Sequence, residues 1–383
     1  MEFKTLSSFN FKGKKVLLRT DINSDVKEGT SKVLMSERIK EAVVSIKELK
    51  KKKAKVVIIA HQGTPGKDDF VSLLQHAKLL NKFVKIKFIP DTVGKKAINA
   101  ISNLKNGEVI LLENLRFLND EFHPEKEDNK IMKLAPLFDY YVNDAFSVCH
   151  RKQTSIVSFP KVLKSCAGRV LEREVKALQK IKIKNCLYIL GGAKPEDNIK
   201  LLKGNKVLAC GLFGQLCLIA NGKNLGYQNK YLETEKALSP DILKKLKDKL
   251  NNVHTPIDFA IKIREKRVEV DLHKFPNHFE IYDIGQKTID RYVHEIKKSK
   301  AIYMKGPAGD CSDKRFTKGT FSILKAVSEC TGFTLIGGGH LSDAIRDSKI
   351  SIKKFSHISL SGGALLSYIV GEKLPGLIAL GIK

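Results

Sequence analysis

KVLLRTDIN at residues 15–23 and SERIKEAVVSIKELKKKKAKVVIIAH at residues 36–61 decide the fold, because together they spell strand, helix, strand. Val16, Leu17 and Leu18 follow one another without polar alternation, the pattern of a strand buried on both faces. Ser36 is a good helix cap, and Ile39, Val43, Ile46 and Leu49 recur on one face of a helix expected over residues 36–53. Lys55–His61 is again a short apolar, β-branched run. This βαβ unit implies a parallel sheet covered by helices on both sides.

The rhythm continues outward. Lys85–Pro90, Val109–Asn114 and Tyr140–Ala145 read as further strands, and Gly168–Lys182 as a long amphipathic helix without a strand partner. Strands resume at Leu187–Gly191, Lys206–Cys210, Ala301–Met304, Thr334–Ile336 and His357–Leu360. A chain of 383 residues is long for one core. The expected fold class is α/β: two doubly wound parallel-sheet domains joined by a helix, with an inter-domain cleft. The boundaries fall at 1–166, 167–182 for the helix, and 183–365. The tail, 366–383, carries Leu374-Pro375-Gly376-Leu377-Ile378-Ala379-Leu380, too apolar for a loose end, and is expected to pack back on the protein.

Composition narrows the class. Hydrophobic residues at 42% and charged residues at 29% suit a globular chain, and no apolar run is long enough to span a bilayer. The N-terminus lacks an apolar signal core, so a cytoplasmic protein without a membrane partner is expected. The net charge of +28 comes mainly from lysine. Runs such as Lys50-Lys51-Lys52-Lys53 have no interleaved aromatics, so they read as solvated helix faces and no specific nucleic-acid partner is expected. Seven cysteines without CxxC spacing read as buried filler, and no protein-held metal site is expected.

Open parallel sheets bind ligands beyond the carboxyl ends of their strands. In the first half those ends collect Asp21-Ile22-Asn23, His61-Gln62-Gly63-Thr64, Glu113-Asn114-Leu115-Arg116 and Asn143-Asp144, with Arg38 in a first helical turn and His150-Arg151 nearby. Any one arginine could be a surface ion pair. Three of them with two histidines suit a small, highly charged phosphate or carboxylate ligand.

In the second half the ends carry glycine: Gly191-Gly192-Ala193-Lys194, Gly211-Leu212-Phe213-Gly214, Gly306-Pro307-Ala308-Gly309, Gly337-Gly338-Gly339-His340 and Ser361-Gly362-Gly363-Ala364. One such loop is an ordinary turn. Five after five strands suit polyphosphate, because glycine lets backbone N–H groups approach it. There is neither a GxxxxGK[ST] loop nor a GxGxxG motif, so a P-loop NTPase and a dinucleotide dehydrogenase are unsupported. An anion half and a nucleotide half together suit phosphoryl transfer.

In order, VLLRTDIN, HQGTPG, VILLENLRF, YVNDAFSVCHR, LGGAKPEDN, MKGPAGD, IGGGH and LPGLIAL resemble the phosphoglycerate kinases, particularly the archaeal form. The resemblance runs from about Lys15 to the C-terminus. It implies reversible phosphoryl transfer between ATP and 3-phosphoglycerate, with Mg²⁺ carried as Mg-ATP or Mg-ADP, in glycolysis and gluconeogenesis. It further implies that the tail, 366–383, returns to the first domain. By it, Asp21, Asn23, Arg38, His61, Arg116 and Arg151 hold 3-phosphoglycerate, and Ile22, Gln62, Gly63 and Thr64 complete the candidate site. Arg38 and Lys194 are the implied catalytic pair. Lys194, Ser312, Gly337, Gly338, Gly339, His340, Gly362 and Gly363 are the candidate nucleotide residues.

Several positions depart from the family pattern. Thr64 stands where arginine is usual, Asn198 where a second lysine is common, and His340 where aspartate is frequent. Ser312 replaces the glutamate that holds the nucleotide ribose. These departures support one alternative, a catalytically weak phosphoglycerate-binding protein of the same fold. Monomer and homodimer both remain open.

Overall fold

In the computed structural model, which describes residues 3–181 and 185–382 apart from the side chain of His340, Val16 and Leu18 enter one apolar layer and Leu17 another. They belong to β1 (Lys15–Thr20). β2 (Lys55–Ile59) divides the same way, Val56 and Ile58 against Val57 and Ile59. Such period-two sorting within a continuous apolar run is what a strand covered on both faces requires. The intervening helix, Glu37–Lys51, buries Ile39, Val43, Ile46 and Leu49, and Ser36 caps it by accepting from the Ile39 amide. Each fully buried aliphatic side chain is worth about 1.5–3 kcal/mol, so this face fixes the helix more firmly than its cap does.

β3 (Lys87–Phe88), β4 (Val109–Leu111), β5 (Tyr140–Asp144) and β6 (Lys164–Ala167) complete a parallel sheet in the order β3-β4-β2-β1-β5-β6. β1 thus has β2 on one side and β5 on the other. The connections from these neighbours run in opposite directions, which leaves room at the carboxyl ends beside β1. β6 was not expected. Its four residues, Lys-Ser-Cys-Ala, are half polar because they form an edge.

The second sheet contains β7 (Leu187–Leu190), β8 (Val207–Ala209) and β9 (Val253–His254). A separate antiparallel sheet follows, made of β10 (Asp258–Ile263), β11 (Lys266–Asp271) and β12 (Ile281–Ile284) in the order β11-β10-β12. With β13 (Ala301–Lys305), β14 (Phe333–Gly337) and β15 (His357–Ser359), the parallel sheet reads β15-β14-β13-β7-β8-β9. The antiparallel sheet also lay outside the sequence reading. Its tight turn is Arg264-Glu265, both at positive φ, and carries none of the Asn-Gly or Asp-Gly signal that announces such a hairpin.

The chain divides into two compact units, Met1–Lys176 with Gly371–Lys383, and Ala177–Val370. The division falls inside the helix Arg169–Lys180. Within the first unit the Gly376 amide donates to the Cys149 carbonyl at 2.9 Å, and Leu374 and Leu377 are buried. Among the described residues no helix is long and apolar enough to cross a membrane.

Candidate active site

The first unit gathers its cations around Asp21, the residue after β1. Asp21 Oδ1 accepts from the Asn23 amide at 3.0 Å, Oδ2 accepts from the Ser147 hydroxyl, and Arg38 Nε lies 3.4 Å from Oδ2. Burial alone would raise its pKa. The Arg38 guanidinium and the hydrogen bonds outweigh this and bring it to about 2. Arg38 NH1 also donates to the Asn23 carbonyl at 3.3 Å.

Arg19, fully buried at the end of β1, donates to Ser155 Oγ at 2.9 Å and to the Thr20 carbonyl at 2.6 Å. Its NH2 lies 3.0 Å from His61 Nδ1. Glu121, also buried, accepts from the Ser155 hydroxyl at 2.6 Å and stands 4.0 Å from Arg19. Burial pushes His61 well below its ordinary pKa, and Arg19, Arg116 and Arg151 add to this while Asp21 opposes it. The imidazole is therefore neutral at physiological pH.

Loop geometry fixes the rest. Gly63 has φ +70°, and a Cβ there would lie 2.1 Å from the Asp69 carbonyl oxygen, so only glycine fits. Its amide donates to Asn23 Oδ1 at 2.8 Å, which ties the β1 and β2 loops together. Gln62 reinforces that tie: its Oε1 accepts from the Ser24 amide and its Nε2 donates to the Ser24 carbonyl, each at 2.9 Å. His76 Nε2 lies 2.9 Å from the same Oε1. The Gln62 side chain is thus taken up in holding loops, and Ile22 lies in the apolar core. Thr64 is exposed, its amide donating to Asp69 Oδ1 at 3.0 Å.

Arg116 NH1 donates to the Gly63 carbonyl, while its Nε is buried without a hydrogen-bond partner among the described residues. Burial lowers its pKa to about 10, and Arg151 and Arg19 press in the same direction. Arg151 itself is exposed. A buried guanidinium with an unspent donor, among other cations, is electrostatically matched to an anion.

In the second unit the carboxyl ends of β7, β13 and β14 lie side by side, with Leu190 opposite Lys305 and Lys305 opposite Gly337. Gly306 has φ +77°, and a Cβ there would come within 2.3 Å of the Gly191 oxygen, so the two loops pack backbone on backbone. Exposed Lys194 precedes the helix Pro195–Ile199. Gly338 precedes the helix Gly339–Asp347, and Gly362 precedes Gly363–Ile369. A side chain added at Gly338, Gly339 or Gly362 would meet nothing within 4 Å, so these amides border open space. Gly337 differs: there a Cβ would strike Leu365, so the position is also close-packed. The side chain of His340 lies outside the described residues.

Ser312 donates its hydroxyl to Asp310 Oδ1 at 2.6 Å. Asp313 is gripped by Arg315, whose Nε lies 2.9 and 3.0 Å from its two oxygens. Sequence reasoning missed Arg19, Glu121, Ser147 and Lys305. The available signal was a lone charge closing an apolar run, as in Leu17-Leu18-Arg19 and Tyr303-Met304-Lys305. Among the described residues no three His, Cys, Asp or Glu side chains gather closely enough to hold a metal.

Two α/β units, one with cations at the strand ends of its parallel sheet and the other with glycines, suit the class of phosphoryl-transfer enzymes. The comparisons with known proteins specify which. The family described as Phosphoglycerate kinase matches residues 6–372. The phosphoglycerate kinase of Methanothermus fervidus is 40% identical over 397 residues, covering 98% of this chain and 96% of that one. That of Sulfurisphaera tokodaii is 41% identical over 400 residues, covering 99% and 96%. The crystal structure of phosphoglycerate kinase from Pyrococcus horikoshii superposes with a TM-score of 0.89 at 35% identity, covering 98% of each chain. The Coxiella burnetii enzyme gives 0.80 at 27% identity, covering 99% of each. The chain belongs to the phosphoglycerate kinase family, and the alternative of a catalytically weak phosphoglycerate-binding protein is not favoured.

Proposed function

We propose that the first unit binds 3-phosphoglycerate, that the second binds the nucleotide, and that the chain moves the terminal phosphoryl group of ATP onto the acid's carboxylate. A carboxylate oxygen attacks the γ-phosphorus, the bond to the bridging oxygen breaks, and ADP leaves with the electron pair. The acyl phosphate of 1,3-bisphosphoglycerate results, and the reverse reaction makes ATP. Such transfer asks the protein mainly for position and charge neutralisation.

The observation that carries this reading is the cation set around Asp21. Arg116, with its unspent Nε, and neutral His61, donating from Nε2, suit the acid's anionic groups. Asn23 and Gly63 fix the loops that present them. Arg38 is held by Asp21 at one edge, placed to meet charge developing on the migrating group. Lys194 plays the matching part from the nucleotide side, with the Gly338 and Gly362 edges bordering the phosphates. Mg²⁺ enters as part of the Mg-ATP substrate, carried on the phosphates rather than in a protein cage.

A coupled assay with 3-phosphoglycerate and Mg²⁺, run with ATP and then with GTP, tests the reading. Turnover that needs both the acid and a magnesium nucleotide supports it. Nucleotide hydrolysis indifferent to the acid overturns it.

A further inference from the structure

Lys305 is the last residue of β13, in register with Leu190 on one side and Gly337 on the other. It therefore stands between two of the glycine-rich strand ends. Its side chain is only 16% exposed. Nζ donates to Asn198 Oδ1 at 3.1 Å and lies 3.5 Å from Asp197 Oδ2. Asn198 is fully buried and donates from Nδ2 to the Gly191 carbonyl at 3.0 Å, so the amide that receives Lys305 is itself anchored to the β7 loop. Burial depresses the ammonium's pKa, Asp197 opposes this, and Lys194 is near enough to depress it further.

Lys305 thus stands at a glycine-lined edge with the partly exposed carboxylate of Asp197 beside it and the charge of Lys194 near enough to bear on it. Structural economy alone would not place a buried lysine beside a second lysine, because like charges at a desolvated site cost free energy. An anion bound there removes that cost for both. We propose that Lys305 is a second phosphate-binding cation of this unit, which Asn198 aims and Asp197 balances, and which binds the phosphates of the nucleotide together with Lys194. The proposal rests on the reading of this unit as the nucleotide unit. It places the second charge on a neighbouring strand rather than on the helix that follows Lys194, where Asn198 stands.

A lysine on phosphate should discriminate by phosphate count. Binding of adenosine, ADP, ATP and inorganic tripolyphosphate is measured by calorimetry for the wild type, Lys305→Met, Lys305→Gln and Asp197→Asn. Both lysine variants should lose about tenfold or more in ATP and tripolyphosphate affinity, a charged hydrogen bond's worth, and leave adenosine unchanged. Asp197→Asn frees Lys305 from its competing carboxylate and should tighten tripolyphosphate binding. If the wild type binds ATP, the lysine variants bind it equally well, and only the melting temperature falls, Lys305 is a structural partner of Asp197 and the proposal fails alone. If the wild type binds none of these phosphates, the nucleotide reading falls and the proposal with it. Should Lys305→Met and Lys305→Gln not fold, Asp197→Asn decides: unchanged tripolyphosphate affinity overturns the proposal.

Discussion

Arg19 NH2 lies 3.0 Å from His61 Nδ1, and because a guanidinium has no acceptor, the imidazole accepts at Nδ1 and carries its proton on Nε2. A buried charge in β1 therefore sets the tautomer of a ring on the next loop. Since burial and Arg19 also hold the His61 pKa well below its ordinary value, the ring should not titrate near pH 6.5. NMR of the His61 ring should show no inflection near neutral pH. Arg19→Met should move the inflection upward. It should also cost about 3–5 kcal/mol of stability, because Glu121 is left buried without its cation. A wild-type inflection near 6.5 would refute the arrangement.

Arg38 is poised rather than buried. Its side chain is 31% exposed and held at Asp21 Oδ2 and the Asn23 carbonyl. An arginine that meets charge only as it develops contributes to turnover more than to ground-state binding. Arg38→Ala should lower kcat by about 10²-fold or more with a smaller change in 3-phosphoglycerate affinity. A variant with normal kcat and lowered thermal stability would reduce Arg38 to a helix-end ion pair.

Asp144, at the end of β5, accepts from the Val170 amide at 2.8 Å and the Leu171 amide at 3.2 Å. Burial outweighs these hydrogen bonds and raises its pKa to about 7. The folded chain thus holds this proton more tightly than the unfolded chain does. The stabilising contribution is complete below about pH 4 and is lost as pH rises through about 7. Asp144→Asn removes the proton but not the cap. The melting temperature of the wild type relative to Asp144→Asn should therefore fall between pH 4.5 and 8.5. A difference that stays flat across that range would mean Asp144 is ionised throughout.

How much of this was legible depends on what a residue's neighbours in sequence reveal. Apolar runs such as Val56-Val57-Ile58-Ile59 have one physical use, so all but the edge strands β6 and β9 of the two parallel sheets could be read directly. Asp21, Asn23, Arg38 and His61 stand out as candidates in the sequence because strand ends are where open sheets bind ligands. Arg19 and Lys305 each close an apolar run, which the sequence does show, but only the folded structure shows that their side chains are buried. Gln62 lies in the same loop as His61, with its amide taken up by Ser24 and Asp69. β10–β12 were lost to a hairpin whose turn residues carry no turn signal.

On the proposed reading of the second unit, the loop after β13 bears on how the nucleotide's sugar is held. A carboxylate that accepts from both ribose hydroxyls grips in a bidentate, charge-assisted way. Ser312 offers one hydroxyl, already donated to Asp310 Oδ1 at 2.6 Å. Asp313 is taken by Arg315, which also reaches Glu265. Asp310 keeps Oδ2 but is tied through Oδ1 to the Ser312 amide at 2.9 Å. No carboxylate of this loop is therefore free to serve two hydroxyls at once. ATP should be only weakly preferred over 2′-deoxy-ATP, and Ser312→Glu should restore the preference. A charged hydrogen bond is worth about 1.5–3 kcal/mol, so the gain should be roughly tenfold to a hundredfold in favour of ATP. Affinities of both nucleotides for the wild type, Ser312→Glu and Asp310→Asn decide the matter. If the wild type already prefers ATP strongly and Asp310→Asn abolishes that preference, Asp310 has taken over the ribose and Ser312 serves to orient it.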